Sequence, residues 1–272
     1  MKANRTAAGI AAALFVAAGM SGCAVGTSVG KQAADSAETL VATLAKASDD
    51  ASKAGSADVK MTVTMPDTGG KPVAMNGVYS WGNGLAMEAE MPAKDLEMEE
   101  LVADGTITFR LVQGSYYYGI DPASDGPFKG KTWLKLDASA VLGDKGAAAM
   151  ESGNNDPTAG LKTLKWANNV TKVGKEDVNG KSSVHYRATI PSDKLGDAAS
   201  AFGAVGGDGG ELVADVWVDD KGMPSRLNQT FGTMSVNVDF LSFGVAKAIS
   251  APPAADTADI TDTVKSGGVG QG

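Results

Sequence analysis

Between Asp58 and Met65 every second residue is apolar: Val59, Met61, Val63 and Met65 alternate with Asp58, Lys60, Thr62 and Thr64. Successive side chains of a strand point to opposite faces, so this pattern predicts an antiparallel strand with one face buried and one wet. The alternation recurs in Val73 to Trp81 and in Leu85 to Met91, with Gly82-Asn83-Gly84 between them as a tight hairpin. Further strands are expected at Glu97 to Ala103, Thr106 to Val112, Ser115 to Ile120 and Thr132 to Leu136, the first two joined by an Asp104-Gly105 turn. Together they read as one meandering sheet.

A helix of about fifteen residues is expected before the sheet, because Leu40, Val41 and Leu44 make one apolar stripe and Gly55 can end it. Beyond the meander, Asp137 to Asn169 changes character. Gly143, Gly146 and Asn154 to Pro157 are loop chemistry, while Leu161, Leu164 and Trp166 suggest a helix over Pro157 to Asn169. Strands resume at Val170 to Glu176 and Ser182 to Ile190, flanking an Asn179-Gly180 turn. Ser192 to Phe202 reads as a short helix capped by Ser192, and the Gly-rich Gly203 to Gly210 as a hinge or mobile flap. Glu211 to Val218, Ser225 to Thr230 and Ser235 to Phe243 then complete the sheet, and Thr257 to Gly272 reads as frayed. With 43% hydrophobic residues the chain can bury a real core, and its 35 glycines suit turns and strands better than a helical bundle.

The N-terminus carries a different signal. Lys2 and Arg5 give a basic start, Ile10 to Ala18 form a short apolar run, and Met20-Ser21-Gly22-Cys23 closes it with small residues before the only cysteine. The apolar run is short of the roughly 20 residues a permanent span needs, so it reads as an export signal. The order of parts resembles a bacterial lipobox, with Met20 standing where Leu is usual. That resemblance implies cleavage before Cys23 and a thioether-linked diacylglycerol, whose two acyl chains would anchor the protein stably. The expected location is lipid-anchored to the cell membrane, on its extracytoplasmic face. With Cys23 consumed there remains no thiol for a disulfide, a nucleophile or a metal. Loss of Lys2 and Arg5 takes the net charge from −8 to −10, which argues against nucleic acid and against a polybasic membrane patch.

Trp217-Val218-Asp219-Asp220-Lys221-Gly222-Met223-Pro224-Ser225-Arg226-Leu227 is a strand, an acidic turn and a return strand. This hairpin resembles the W-x-D-x-x-x-x-P-x-R hairpin of actinobacterial lipoproteins of the LppX/LprG type, which have a LolA-like fold. Gly114-Ser115-Tyr116-Tyr117-Tyr118, Thr132-Trp133-Leu134-Lys135-Leu136-Asp137 and Ile249-Ser250-Ala251-Pro252-Pro253 support the resemblance, and the order of elements fits over residues 35–260. The resemblance implies an α+β fold, a strongly curved antiparallel half-barrel with helices packed on its concave face around an apolar cavity. It also implies a carrier of lipids or acylated glycolipids in envelope transport, with an envelope transporter or other protein as a possible partner. The organisation expected is a signal peptide over 1–22, a tether over 23–34, a lipid-binding domain over 35–260 and a flexible tail over 261–272.

Nine methionines remain after residue 22, and Met61, Met65, Met75, Met87 and Met91 fall on the apolar faces of three successive strands. Methionine adapts to irregular shapes, so this group suits either plain core filling or contact with variable acyl chains. The candidates for lining a ligand are Met61, Val63, Met75, Tyr79, Met87, Ile107, Phe109, Val184, Tyr186, Val216 and Leu227. Tyr116 and Tyr118 face opposite to Tyr117, as headgroup contacts or simply as favoured strand aromatics. His185, the only histidine, sits among Ser183, Arg187 and Thr189 and is expected to be a solvated strand residue.

No catalytic residue, cofactor or metal site is expected. A second histidine and a free thiol are both missing, and the carboxylates of Asp121 to Asp125 and of Asp219-Asp220 lack calcium-loop spacing. Gly206-Gly207-Asp208-Gly209-Gly210 lacks the Lys and Ser or Thr of a phosphate loop. Two functions stay open: a non-enzymatic carrier of a lipid or acylated molecule, and a structural or signalling lipoprotein that binds a protein through its outer surface. A hydrolase built on His185 and scattered serines is the weakest reading.

Overall fold

A computed structural model describes residues 36–64, 71–82, 84–151, 158, 167, 169–195, 210–245 and 247–266. Cys23 with its signal and tether, Met65, nearly all of the Pro157 helix including Leu161, Leu164 and Trp166, and the segment 196–209 lie outside the described residues. Twelve strands form one sheet in the order β12-β6-β5-β4-β3-β2-β1-β11-β10-β9-β8-β7. They are β1 Ser56–Thr64, β2 Pro72–Ser80, β3 Ala86–Pro92, β4 Thr106–Val112, β5 Ser115–Gly119, β6 Trp133–Asp137, β7 Asn169–Val178, β8 Lys181–Pro191, β9 Glu211–Asp219, β10 Pro224–Phe231, β11 Met234–Phe243 and β12 Thr257–Asp259. Two meanders, β1 to β6 and β7 to β11, meet along the antiparallel β1·β11 pair. Every pair is antiparallel except β12 on β6.

The turns explain the register. Asn179 and Gly180 both take positive φ, 53° and 77°, the paired left-handed conformation that a two-residue hairpin turn needs and that Asn-Gly supplies at low cost. Curvature has a local cause at Gly77 on β2. A Cβ there would sit 2.0 Å from the Glu88 carbonyl oxygen and 2.5 Å from Cα of Ala89, so only glycine lets β3 fold in over β2.

Helix α1, Ala37–Ala54, starts at Ser36, whose side chain accepts from the Thr39 amide, and ends at Gly55 in the left-handed region. It buries Leu40, Leu44, Ala47 and Ala51. Leu40, Leu44 and Ala47 join one cluster with the inner-face residues of both meanders. Fully buried Ser48 on α1 donates to the Thr158 carbonyl at 2.8 Å, which ties the helix to the chain beyond β6.

Four expectations change. Glu97 to Ala103 is not a strand: two short 3-10 turns occupy Ala93–Leu96 and Glu99–Leu101, with Glu97 at φ 57° between them. Met98, Leu101 and Val102 are three and four apart, a helical spacing, and Leu96 and Met98 pack onto the core cluster. The stretch holding Gly143 is not plain loop but a helix, α2 Ser139–Glu151, broken at Gly143 with φ 68°. Ser192 does not cap the turn it belongs to: Ser192–Lys194 is a 3-10 turn entered from Pro191 with no side-chain cap, and the helix expected from there to Phe202 lies outside the described residues beyond Leu195.

The C-terminal stretch expected to fray instead forms β12 and a short helix α3, Thr261–Lys265. From β11 the chain crosses the outer face as a strap. There Lys247 meets Glu88 at 2.6 Å, Arg110 donates to the Ser250 carbonyl at 3.3 Å, and the Thr132 amide donates to the Asp256 carbonyl at 2.9 Å. Lys135 then pairs with Asp259 at 2.9 Å, and the Asp137 amide donates to the Thr261 hydroxyl at 3.0 Å.

Candidate ligand-binding face

Opposed residues of paired strands project on the same side of a sheet. Met75, Met61, Val238, Leu227, Val216 and Tyr186 are consecutive partners across β2, β1, β11, β10, β9 and β8, so they make one apolar row. Tyr79, Met87, Leu111, Tyr116 and Leu136 make a second row from β2 to β6. Ile107 partners Met91, Phe109 partners Ala89 and Tyr118, Val63 partners Val73 and Val236, and Val184 partners Val218. All eleven candidate lining residues therefore share the inner face.

Their burial differs along that face. Ile107 and Val216 are fully buried, and Leu227, Met87, Tyr186 and Phe109 are nearly so. Met61, Val63, Met75, Tyr79 and Val184 are half-buried. Apart from Val184 on β8, these half-buried side chains, with Val236 and Phe243, lie on β2, β1 and β11, the strands at the seam. Helix α1 packs against β7 and β10 on one side of the seam, and the 3-10 turn Ala93–Leu96 packs against β2 and β3 on the other. The seam is thus the part of the apolar face where flexible Met side chains keep free surface.

The outer face has the opposite chemistry. An open groove of about 640 Å³ lies there, lined by Asp58, Lys60, Asn76, Glu88, Glu90 and Lys247 among others. Its ion pairs and amides suit water and polar groups and would leave an acyl chain unrewarded. No group of His, Cys, Asp and Glu that could hold a metal ion occurs among the described residues. Among them, no helix is long and apolar enough to cross a membrane.

His185 is on the polar face as expected but is not solvated: it is only 6% exposed. Its ring stacks on Trp217 at 4.1 Å, Nδ1 lies 2.9 Å from Glu176 and Nε2 lies 2.6 Å from Asp215. Arg226 covers the same indole at 5.6 Å and holds Asp239 with two charge-assisted hydrogen bonds. The Trp217 N–H and the His185 ring hold the Glu176 carboxyl below its usual range. Burial opposes ionisation of Asp239, yet Arg226 and Asn179 outweigh it and keep its carboxyl low as well. Both nitrogens of His185 are engaged by carboxylates, and Ser183 and Ser225 bond to each other at 2.7 Å. This is an assembly that holds strands together. The sequence reading missed it because Glu176 and Asp215 reach His185 only across strand pairs.

The comparisons with known proteins fit this architecture. The crystal structure of the Mycobacterium tuberculosis lipoprotein LppX superposes with a TM-score of 0.53 at 16% identity, covering 79% of this chain and all of LppX. The chain has the LppX fold. The expectation of an LppX-like fold, read from the Trp217 to Leu227 hairpin, is therefore borne out. An uncharacterized 31.2 kDa Streptomyces griseus protein is 27% identical over 220 residues, 72% of each chain. A provisionally named lipoprotein of Streptomyces coelicolor is 25% identical over 229 residues, 79% of this chain and 73% of its own. No family model matches the chain.

Proposed function

We propose that this protein is a membrane-anchored extracytoplasmic lipoprotein that binds or carries a lipid or acylated glycolipid against its inner face, without catalysing a reaction. The observation that carries this reading is the row from Met75 to Tyr186, six strands wide without a charged side chain and half-buried at its Met61–Met75 end. Apolar surface left partly open between two covers gains free energy from any acyl chain that fills it, at about 25 cal/mol per Å². Methionines let one face accept chains of different shape. The lipobox-like end at Cys23, the LppX fold and a relative named as a lipoprotein support the extracytoplasmic setting.

The test is native mass spectrometry of the mature protein, with extraction and identification of bound molecules, on the parent and on Met75→Trp. The parent is expected to carry lipid beyond its own anchor. The added indole should fill the space and lower copurifying lipid severalfold while stability changes by about 1 kcal/mol or less. Absence of any bound lipid, together with a loss of about 1 to 3 kcal/mol in Met75→Trp, is the overpacking of a solid core. That result would replace the carrier reading with one in which the outer surface binds a protein.

A further inference from the structure

The two meanders do not offer a ligand the same atoms. From β8 to β11 the inner face is hydrocarbon apart from Ser182 at the end of β8, Tyr186 and Gln229, whereas β5 places two phenols, Tyr116 and Tyr118, side by side on it. They bracket Phe109 of β4, with ring centroids 5.9 Å and 5.6 Å from it. Burial pushes the Tyr116 phenol up to about 12, and burial with the neighbouring Tyr116 pushes Tyr118 to about 12 as well. Neither hydroxyl has a hydrogen-bond partner among the described residues. A tyrosine held in apolar surroundings normally finds one.

Access separates these phenols from the other unpaired donor. Trp81 Nε1 also lacks an acceptor, but that atom is sealed, with Tyr79 and Phe243 packed edge to face at 5.7 Å and 6.4 Å. It has no room for a ligand atom. Tyr116 and Tyr118, by contrast, are both half-buried, so each keeps surface that a ligand can reach.

We propose that Tyr116 and Tyr118 form a polar subsite that donates hydrogen bonds to the ester carbonyl oxygens of a neutral acylated lipid, while the acyl chains lie along the apolar rows. The inference rests on the carrier reading above and adds the headgroup end of the ligand. An ester carbonyl accepts but does not donate, which matches two free O–H groups. A free fatty acid fits less well, because Arg110 and Lys135, the cations of the adjoining strands among the described residues, lie on the outer face, away from its carboxylate.

The experiment uses the full mature protein in dodecylmaltoside and three probes: a pyrene-labelled diacylglycerol, a pyrene-labelled fatty acid and a pyrene-labelled alkane of equal chain length. Tyr116→Phe and Tyr118→Phe each remove one oxygen and keep the ring, so the fold is retained. The parent is expected to bind the diacylglycerol more tightly than the fatty acid. Each single variant should weaken diacylglycerol binding about threefold and the double variant about tenfold, with alkane binding unchanged. Diacylglycerol binding unchanged in the double variant would overturn the subsite and leave the carrier reading standing. Equal losses for diacylglycerol and alkane would overturn it too, by assigning the tyrosines to packing. If the parent binds no probe at all, the carrier reading falls and the subsite with it.

Discussion

On the inner face, the row from Met75 to Tyr186 crosses six strands without a charge. On the outer face of the same strands, His185, Trp217, Arg226, Asp239 and Lys60 are consecutive partners across β8, β9, β10, β11 and β1. The inner row is held by burial, which is non-directional and tolerates exchange of one apolar contact for another. The outer row is held by stacks and charge-assisted hydrogen bonds, which demand one geometry. A sheet with this division can keep its strand register through its outer face while its inner face adapts. Rigidity and adaptability are then properties of opposite sides of one layer, one residue apart along each strand.

The strongest way to break that division is Trp217→Ala. The indole is 8% exposed, stacks under His185 and Arg226, and donates to Glu176 at 2.8 Å. Its removal leaves a large void and strips partners from a buried histidine, so a loss of about 3 to 5 kcal/mol is expected in urea denaturation. A loss below about 1 kcal/mol would mean that the outer row does not hold the register.

A paired truncation sharpens the inner side. Leu227 is 2% exposed and partners Val216 and Val238, whereas Met75, in the same row, is half-buried. Leu227→Ala should cost about 3 kcal/mol, and Met75→Ala about 1 kcal/mol, because part of the methionine surface is never removed from solvent contact. Equal losses at the two positions would show that the seam is as tightly packed as the rest of the core, and the adaptable strip would disappear.

The inner row was legible before the structure because it needs only period-2 alternation and adjacency of consecutive strands. Met61, Met75 and Met87 lie on β1, β2 and β3, and all eleven lining candidates fall on one side. The Trp217–Arg226 stack is local in the same sense, since both residues belong to one hairpin. What escaped are the contacts that join distant segments. Asp215, 30 residues on in β9, closes over His185, and Glu176 reaches it only diagonally across the β7–β8 hairpin, whose register shifts between Lys172 and Gly174, so a residue that reads as wet is buried. The C-terminal strap pairs β12 with β6 across more than a hundred residues, and nothing local in Thr257-Ala258-Asp259 announces a strand. The Glu97 to Ala103 stretch was misread because its apolar residues were counted without their spacing of three and four.

Acid separates the two faces by a smaller effect. Burial opposes ionisation of Glu88, but hydrogen bonds from Lys247 and Arg110 outweigh it and bring the carboxyl below its ordinary 4.5. Asp239 is likewise held below 3.8 against burial by Arg226 and Asn179. Asp259, also opposed by burial, is brought to about 2 by Thr261 and Lys135. In each case the folded value lies below the unfolded one, so the native state binds fewer protons and stability rises with pH through that window. The contribution is complete above about pH 5.5 and is lost as pH falls through the folded values toward about 2. Asp259 keeps half of its side chain exposed, so its share should shrink in 1 M salt, whereas that of Asp239, with side-chain exposure of 10%, should persist. The expected result is a Tm that declines over this acid range in the parent and declines less in Asp239→Asn. Leu227→Ala, which touches only the inner face, should lower Tm by the same amount at every pH. Parallel Tm profiles for parent and Asp239→Asn between pH 5.5 and 2 would show that the Arg226–Asp239 pair does not contribute to stability, leaving stacking and burial to hold that stretch of the outer row.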